Sequence, residues 1–343
     1  MKILFTGDYL PDYNRTRIIR KGLIELGHNV IDFPFTKKNS ETREKLIAHA
    51  ESCSFIFMPS FTHKEVPWVK KNLPNKKIIF DPLISRHMTR IYDYKLAWPY
   101  SFSALRNFLR DKHSMQAADS VVTDTEAHRQ YFHKKFSIPL EKMSTLYIGN
   151  DFDMYRPLPR AQTHEGYLVG FYGGFIPLQG VMSILGAIDI LKNQSDIHFE
   201  LTGSGFEFAK AQKFVSSKNL SNVTLPGWLD EERLAQRICD YDVCLGIFGD
   251  TLKSDLVIPN KVYHYAACAK PIISKKSPAI SELFTHKENI YLCETNPQAI
   301  ADAVMWMKAN QDSATKMGEK AHNMLKQNHT ARHIADKIVL LSK

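Results

Sequence analysis

Short, nearly continuous apolar segments alternate with polar, helical segments along the first half of the chain. Each apolar segment predicts a strand, and these strands are predicted at 2–8, 29–35, 54–59, 77–82, 120–125 and 144–148. Helices are predicted between them, among others at 15–26, 40–51 and 101–118. This alternation is typical of a parallel sheet that helices cover on both faces. We therefore expect an α/β domain with a doubly wound sheet.

The alternation begins a second time after a polar segment. Residues 150–165 include Asp and Arg residues together with Pro157 and Pro159, which disfavour regular structure. Strands are predicted again at 167–172, 197–202, 222–225, 243–248, 271–274 and 289–293, and helices at 300–307 and 316–326. The sequence thus predicts two Rossmann-like domains, 1–155 and 166–327, with a linker between them.

Length and composition agree with a globular protein of two domains. The chain has 343 residues, more than one ordinary core requires, and 44% of them are hydrophobic. It has no apolar run near the roughly 20 residues of a membrane-spanning helix, and the polar residues soon after Met1 favour a first strand over a signal peptide. The five cysteines form no Cys-x-x-Cys pair, so we expect neither a zinc site nor a disulfide framework and predict a cytoplasmic protein.

The net charge of +9 is confined to the first half of the chain. Lys and Arg outnumber Asp and Glu by 26 to 17 in residues 1–160, whereas residues 161–343 hold 19 of each kind. An excess in one domain suggests an anionic partner, such as a membrane surface, a phospholipid-linked acceptor or nucleic acid. The alternative is a solvated basic face without a partner. Basic and aromatic residues are not interleaved in a recognisable motif, so we expect no nucleic-acid partner.

Glycine-rich loops follow two strands of the second predicted domain. Gly173–Gly174 ends one strand and Gly203–Gly205 follows the next. Parallel strands bring such loops to one edge of the sheet, where glycine lets the backbone approach a pyrophosphate and the next helix directs N–H groups toward an anion. A single Gly-x-Gly is weak evidence, because any sharp turn from strand to helix favours glycine. Two such loops at one edge favour an anion site.

A further loop, residues 249–261, combines positive charge with the start of a helix. It contains Lys253, and Pro259 opens a short helix that carries Lys261 in its first turn. A lysine at this position adds a full charge to the helix dipole, as a nucleotide diphosphate and its leaving group require. The alternative is a solvated surface lysine. Two lysines around one helix start at the sheet edge favour the functional interpretation.

Residues 169–180 and 258–274, in this order, resemble the donor domain of the GT-B glycosyltransferases of family 4. The resemblance covers nearly the whole chain. It implies two Rossmann-like domains that face each other across a cleft, and the transfer of a sugar from a nucleotide sugar with retention and without a bound divalent ion. It also implies that the segment 328–343 forms a helix that crosses back to the first domain. The spacing of Ile334, Ile338 and Leu341 fits such an amphipathic helix.

The resemblance places the donor at the loops described above. The nucleotide base is implied beside Trp228, for which interdomain packing is the alternative role. The residues that we assign to donor binding are Gly173, Gly174, Phe175, Gln179, Gly180, Gly203, Ser204, Gly205, Trp228, Asp250, Thr251, Lys253, Pro259, Asn260, Val262 and His264. Lys261 is assigned a catalytic role at the diphosphate. We expect no metal site and no cofactor besides the donor substrate.

The chain departs from the family at four positions. The Glu-x7-Glu pair of family 4, which holds the donor sugar and the ribose, falls near Leu256 and on His264. The usual Arg and Lys of the glycine loop fall on Gly174 and Gln179. The diphosphate would then be held by the lysines of the loop 249–261 and by backbone N–H groups, while the histidine can bond a ribose hydroxyl. A subgroup with similar loops also lacks the first glutamate, so we expect an active variant.

Asp81, at the end of the strand 77–82, is the catalytic candidate of the first domain. By the resemblance it falls where many family 4 enzymes place a histidine near the reacting sugar. A carboxylate there could accept a proton or stabilise oxocarbenium-like charge. The alternative is a helix N-cap, a common role of an Asp-Pro pair. Asp119, Asp124 and His128, near the next strand, have weaker support.

These observations predict a metal-independent, hexosyltransferase-like enzyme that moves a sugar from a nucleotide sugar to a lipid-linked or surface-polysaccharide acceptor. Such an enzyme could be peripheral at the inner face of the membrane. The alternative is a catalytically impaired GT-B protein that acts as a binding or partner subunit. A nucleotide-sugar epimerase of the same fold is less favoured, because the sequence offers no evident set of acid and base residues for it.

Overall fold

In the computed structural model, which describes residues 1–162 and 164–343, the chain forms two compact units. The first unit consists of residues 1–149 and 329–343, and the second of residues 150–328. Each unit is built around one parallel sheet of six strands with helices on both faces. The predicted α/β class with two doubly wound parallel sheets is therefore confirmed.

The sheet of the first unit has the strand order β2-β1-β3-β4-β5-β6, and all neighbours are parallel. Its strands are β1 (Lys2–Gly7), β2 (Asn29–Pro34), β3 (Phe55–Met58), β4 (Ile78–Phe80), β5 (Ser120–Thr123) and β6 (Met143–Thr145). Its helices are α1 (Asn14–Glu25), α2 (Ser40–Glu51), α3 (Val66–Asn72), α4 (Arg86–Met88), α5 (Phe102–Ala117), α6 (Glu126–Phe136) and α14 (Ala331–Ser342). A π-helical turn, Thr89–Asp93, follows α4.

The sheet of the second unit has the strand order β12-β11-β10-β7-β8-β9 and is also parallel throughout. Its strands are β7 (Tyr167–Tyr172), β8 (Ile197–Thr202), β9 (Val223–Gly227), β10 (Val243–Leu245), β11 (Ile272–Lys275) and β12 (Tyr291–Cys293). Its helices are α7 (Val181–Ile190), α8 (Phe208–Ser217), α9 (Glu231–Asp240), α10 (Leu252–Leu256), α11 (Asn260–Ala267), α12 (Pro297–Ala309) and α13 (Gln311–Asn328). The strand order reverses between β7 and β10, which makes this pair the switch point of the sheet.

The central strands are apolar because both of their faces are covered. All four residues of β3 are fully buried, as are the three residues of β4. Such strands lack the alternation of polar and apolar side chains that a half-exposed sheet shows. Within the described residues, no helix combines the length and the apolar character needed to cross a bilayer.

The last helix, α14, belongs to the first unit and packs against α1. The two helices approach closely at Gly22. A Cβ atom on this residue would lie 2.0 Å from the backbone oxygen of Ala331 and 2.8 Å from the Cβ of Ala335. A side chain at position 22 would therefore separate the helices.

The leading part of the first unit ends at Gly149, earlier than the predicted boundary at residue 155. The reason is a contact within the second unit. The ring of Tyr155 stacks on that of His264, with centroids 3.7 Å apart and an interplanar angle of 13°. The segment that we predicted as the end of the first domain is thus packed against α11.

His329, which begins the returning segment, makes the stability of the first unit dependent on pH. It is 7% exposed and its ring contacts Tyr147. Burial, with Lys337 nearby, lowers its pKa to about 4. Since an unfolded histidine titrates near pH 6.5, the unfolded state binds more protons between about pH 4 and 6.5, and stability decreases as the pH falls through this window. We expect the melting temperature of His329→Gln to decrease less than that of the wild type on acidification.

Thermal denaturation across this pH range measures the effect. His113→Gln serves as the control, because His113 is an exposed histidine on α5. This variant should keep the pH slope of the wild type. An unchanged slope in His329→Gln would show that another group causes the acid sensitivity.

Candidate functional site

Loops of the second unit meet at the carboxyl edge of its sheet, beside the switch point. The N–H of Gly203 donates to the backbone oxygen of Gly227 (2.7 Å), which joins the loop after β8 to the end of β9. The N–H of Phe175 donates to the backbone oxygen of Ser204 (2.9 Å), which joins the loop after β7 to the loop after β8. The structure therefore brings together the glycine loops that the sequence pattern predicted at one edge.

Glycine is required where these loops cross. Gly203 has φ +136°, and a Cβ atom on it would lie 2.0 Å from the backbone oxygen of Gly173. Gly180, the N-cap of α7, has φ +67°, and its Cβ would lie 2.2 Å from the carbonyl carbon of Phe248. L-residues rarely adopt such φ values, and the space is already filled. The loops after β7, β8 and β10 can thus pack in this way only with glycine.

Lys261 lies in the first turn of α11, and its ammonium group is buried beside Gly173. The side chain is 3% exposed, and Nζ lies 3.5 Å from the ring centroid of Phe171. A Cβ atom on Gly173 would lie 2.8 Å from Nζ and 3.5 Å from Nε2 of Gln179. Within the described residues, neither Nζ of Lys261 nor Oε1 of Gln179 has a hydrogen-bond partner. Burial lowers the pKa of Lys261 well below its ordinary value of 10.5.

Buried polar groups in folded proteins are nearly always hydrogen-bonded, and exceptions call for an explanation. The lysine nitrogen and the side-chain amide of Gln179 both approach Gly173, and each has hydrogen-bonding capacity available to a ligand. The N-terminus of α11 adds the positive end of its dipole at this place. An anionic group such as a phosphate fits the lysine nitrogen and the helix N-terminus.

His264, further along α11, is held by two tyrosines that the sequence did not single out. Its ring stacks on Tyr155, and its Nδ1 lies 2.5 Å from the hydroxyl of Tyr172. The side chain is 4% exposed. Tyr172 is the last residue of β7 and directly precedes the glycine pair, so its position at the strand end could have identified it. The predicted bond from His264 to a ribose stays a prediction, and one nitrogen of the ring is already used.

The side chain of Thr251 serves the fold at the start of α10. Its Oγ1 accepts from the N–H of Ser254, and Oγ of Ser254 accepts from the N–H of Thr251, each at 3.2 Å. Asp250 is exposed, whereas Lys253 is 8% exposed. The structure thus places Lys253 inside the unit rather than on its surface.

Lys275, at the end of β11, is buried like Lys253 and Lys261, and we missed it in the sequence. Its Nζ donates to the backbone oxygen of Gly249 (3.0 Å) and to Oγ of Ser254 (2.9 Å), and it pairs with Asp255 at 2.7 Å. It therefore fixes the loop after β10. The pair Lys275–Lys276 at the end of an apolar strand was the available signal.

The side chains of two predicted donor-binding residues lie in the core. Phe175 and Val262 are fully buried, and the ring of Phe175 meets that of Phe208 edge-on. Only the backbone of these residues can face a ligand at the sheet edge. Pro259 is the N-cap of α11 and accepts from the N–H of Val262 (2.9 Å), next to the partly exposed Asn260. Trp228, after β9, is 68% exposed.

Asp81 is the buried partner of an arginine, and its catalytic role stays a prediction. Oδ2 accepts from Nε of Arg15 at 2.5 Å, and Oδ1 accepts from the N–H of Leu83 at 3.1 Å. Asp81 is 1% exposed and Arg15 is fully buried. Burial raises the pKa of Asp81, although Arg15 opposes this effect. Both carboxylate oxygens are used in the fold, and the N-cap of the next helix is Ser85.

The three weaker candidates of the first unit have different partners in the structure. Asp124 and His128 form a buried pair, with Oδ1 and Nδ1 2.5 Å apart. Asp119 is partly exposed and pairs with Lys70 at 2.8 Å. Across the part of the chain that the structure describes, no group of three or more His, Cys, Asp or Glu side chains is placed to hold a metal ion.

Comparison with known proteins adds two matches in sequence. The profile of a family described as "Glycosyl transferase-like" matches residues 186–339. The uncharacterized glycosyltransferase MJ1178 of Methanocaldococcus jannaschii is 24% identical over 249 residues, which make up 65% of this chain and 66% of that protein. The match thus spans slightly less than two thirds of the relative.

Solved structures match the chain over nearly its whole length. Anabaena Alr3699/HepE, solved in complex with UDP, has a TM-score of 0.77 at 15% identity and is covered to 99%, as is this chain. HepE has also been solved in complex with UDP-glucose. The sucrose-phosphate synthase of Thermosynechococcus elongatus has a TM-score of 0.77 at 15% identity, over 99% of this chain and 98% of that chain. Together these comparisons show that the chain has the GT-B fold, and they support the glycosyltransferase superfamily.

Proposed function

We propose that the protein transfers a hexose from a nucleotide sugar, with retention and without a divalent metal ion, to a lipid-linked or surface-polysaccharide acceptor. The observation that carries the proposal is the buried ammonium group of Lys261, which lies beside Gly173 without a hydrogen-bond partner in the described chain. A nucleoside diphosphate would supply a negatively charged hydrogen-bond partner for this group.

The proposed role of each group follows from the charge that develops during transfer. When the bond between the anomeric carbon and the diphosphate oxygen breaks, its electron pair remains on the diphosphate. Lys261 and the dipole of α11 stabilise this charge in a site of low dielectric, where such interactions are strong. The acceptor oxygen bonds to the anomeric carbon on the same face, and its proton passes to the leaving diphosphate. No side-chain nucleophile is then needed.

The choice of donor is supported by a structural neighbour. HepE, which shares the fold, has been solved with UDP and with UDP-glucose. UDP is therefore the first nucleotide to test on this chain. The backbone of Gly173 and Gly203, where a side chain has no room, would face the phosphates.

We expect UDP or another nucleoside diphosphate to bind in the presence of a chelator, and uridine to bind much more weakly, because the charge of Lys261 acts on the phosphates. Isothermal titration calorimetry with UDP, ADP, GDP and uridine measures this. If none of the diphosphates or their sugars binds, the donor site does not exist. If UDP-glucose binds and is never cleaved in the presence of lipid-linked or glycan acceptors, the protein is an impaired partner subunit instead. NMR of the product anomer tests retention.

A further inference from the structure

Five apolar side chains within a short stretch of the first unit, residues 98–109, are exposed to solvent, and we call them the Trp98 patch. Trp98 is 84% exposed, Tyr100 is completely exposed and Phe102 is 78% exposed. Leu105 and Leu109 are both more than half exposed and continue the row along α5. Residues three and four positions apart share one face of a helix. The helix α5 therefore carries an apolar stripe on its outer face, where soluble proteins normally carry polar side chains.

A groove adjoins the patch. It has a volume of about 520 Å³, and Ile91, Tyr92, Leu96 and Trp98 contribute apolar side chains to its wall. Tyr92 and Leu96 are themselves exposed. The patch and the groove together form an exposed apolar surface of a kind that marks contact with a partner.

Every exposed charged side chain near the patch in sequence is basic. Arg90, Lys95 and Arg106 are exposed beside the apolar side chains. Within residues 86–112, all of which the structure describes, the acidic side chains are Asp93 and Asp111, and both are buried. Anionic lipid headgroups are complementary to such a surface, because they attract each nearby Lys or Arg.

From this combination we infer that the Trp98 patch docks on an anionic lipid bilayer. Trp and Tyr side chains favour the boundary between headgroups and acyl chains, where one end of the ring is apolar and the other is hydrated. The leucines of α5 extend into the acyl region, and the basic side chains contact the phosphates. This inference deepens the proposed function, because a lipid-linked acceptor would be presented at a membrane surface. It rests on the proposed function only in this choice of acceptor.

Co-sedimentation of the full chain with vesicles tests the inference. We expect binding to vesicles of phosphatidylglycerol and phosphatidylcholine, weaker binding as salt increases, and little binding to phosphatidylcholine alone. The triple variant Trp98→Ser, Tyr100→Ser, Phe102→Ser should reduce partitioning at least about tenfold, since it removes the inserted rings. The triple variant Arg90→Gln, Lys95→Gln, Arg106→Gln should also reduce it at least about tenfold.

Matched substitutions elsewhere serve as controls. Leu10→Ser with Leu340→Ser removes two exposed leucines outside the patch. Lys316→Gln, Lys320→Gln, Lys326→Gln removes the same number of exposed charges from α13 as the basic variant removes near the patch. Both should sediment like the wild type. Melting temperatures show whether each variant is folded.

Tryptophan fluorescence separates insertion from simple charge attraction. We expect the emission of the wild type to shift to shorter wavelength on anionic vesicles as Trp98 leaves water. Trp98→Phe should still bind, because an aromatic ring remains, but should lose most of the shift.

The inference is overturned if the wild type does not prefer anionic vesicles, or if the serine variant binds them as the wild type does. Self-association that the serine variant abolishes, without vesicle binding, would assign the patch to a second copy of the chain. UDP binding is measured without vesicles. A protein that binds vesicles but not UDP would therefore refute the proposed function and leave the docking surface intact.

Discussion

Asp81→Ala is expected to destabilise the protein by about 3–5 kcal/mol, because it leaves the buried guanidinium group of Arg15 without its carboxylate. Arg15 is fully buried and also donates from Nη1 to the backbone oxygen of Leu146 (2.8 Å), so it cannot move to water without breaking this contact. The midpoint of urea denaturation measures the loss. The double variant Arg15→Met, Asp81→Leu should recover most of it, since an apolar pair of similar volume leaves no buried charge.

The control for this experiment is an exposed ion pair of the same unit. Glu41 and Lys45 are 70% and 59% exposed and lie 2.7 Å apart on α2. Glu41→Ala should change the stability little, because exposed ion pairs contribute little to it. If Asp81→Ala instead leaves stability unchanged and abolishes transfer, then the catalytic role that the sequence suggested is right and the ion pair contributes little to the fold.

Lys261→Met is expected to weaken UDP binding by about 1.5–3 kcal/mol, the range for a hydrogen bond to a charged group. The unliganded protein should lose no stability, and could gain some. The reason is that the buried Nζ has no hydrogen-bond partner in the described chain, so the wild type bears the cost of its desolvation. Calorimetry with UDP and thermal denaturation without ligand measure the two effects, which should differ in sign.

Lys275→Met is the matched control. Lys275 is about as buried as Lys261, at 5% against 3% exposed, but its Nζ is hydrogen-bonded to Gly249 and Ser254 and paired with Asp255. Its replacement should lower the melting temperature. Equal losses of UDP and uridine binding in Lys261→Met, or a lower melting temperature of that variant, would mean that Lys261 supports the fold and does not contact phosphate.

The architecture could be predicted from the sequence because burial on both faces leaves a direct signature. The run 167–172 is apolar at nearly every position and forms β7 with the same bounds. Parallel strands also place their carboxyl ends at one edge, so the proximity of Gly173 and Gly203 follows from the strand assignments alone. The backbone of such loops requires glycine, so the glycines can be recognised in the sequence.

The partners of charged and aromatic side chains could not be predicted, because they lie far apart in sequence. Arg15 and Asp81 are 66 residues apart, and neither residue alone indicates which charge it meets. The direction of a side chain in a loop cannot be predicted from the sequence either. Phe175, for example, is buried in the core although it belongs to a loop at the sheet edge. On α5 the periodicity is visible, but an apolar stripe normally predicts a face turned inward, whereas Phe102 is exposed.

The division of the first unit into two segments has a consequence for synthesis. Residues 150–328, which form the second unit, leave the ribosome after residues 1–149 of the first unit and before its last helix, α14. At about 5–20 residues per second, their translation takes roughly 10–40 s. During this time the groove of α1 at Gly22, which Ala331 later fills, has no helix of its own chain to cover it. The second unit, continuous in sequence, can finish folding first, so the unit that begins the chain is the last to be completed.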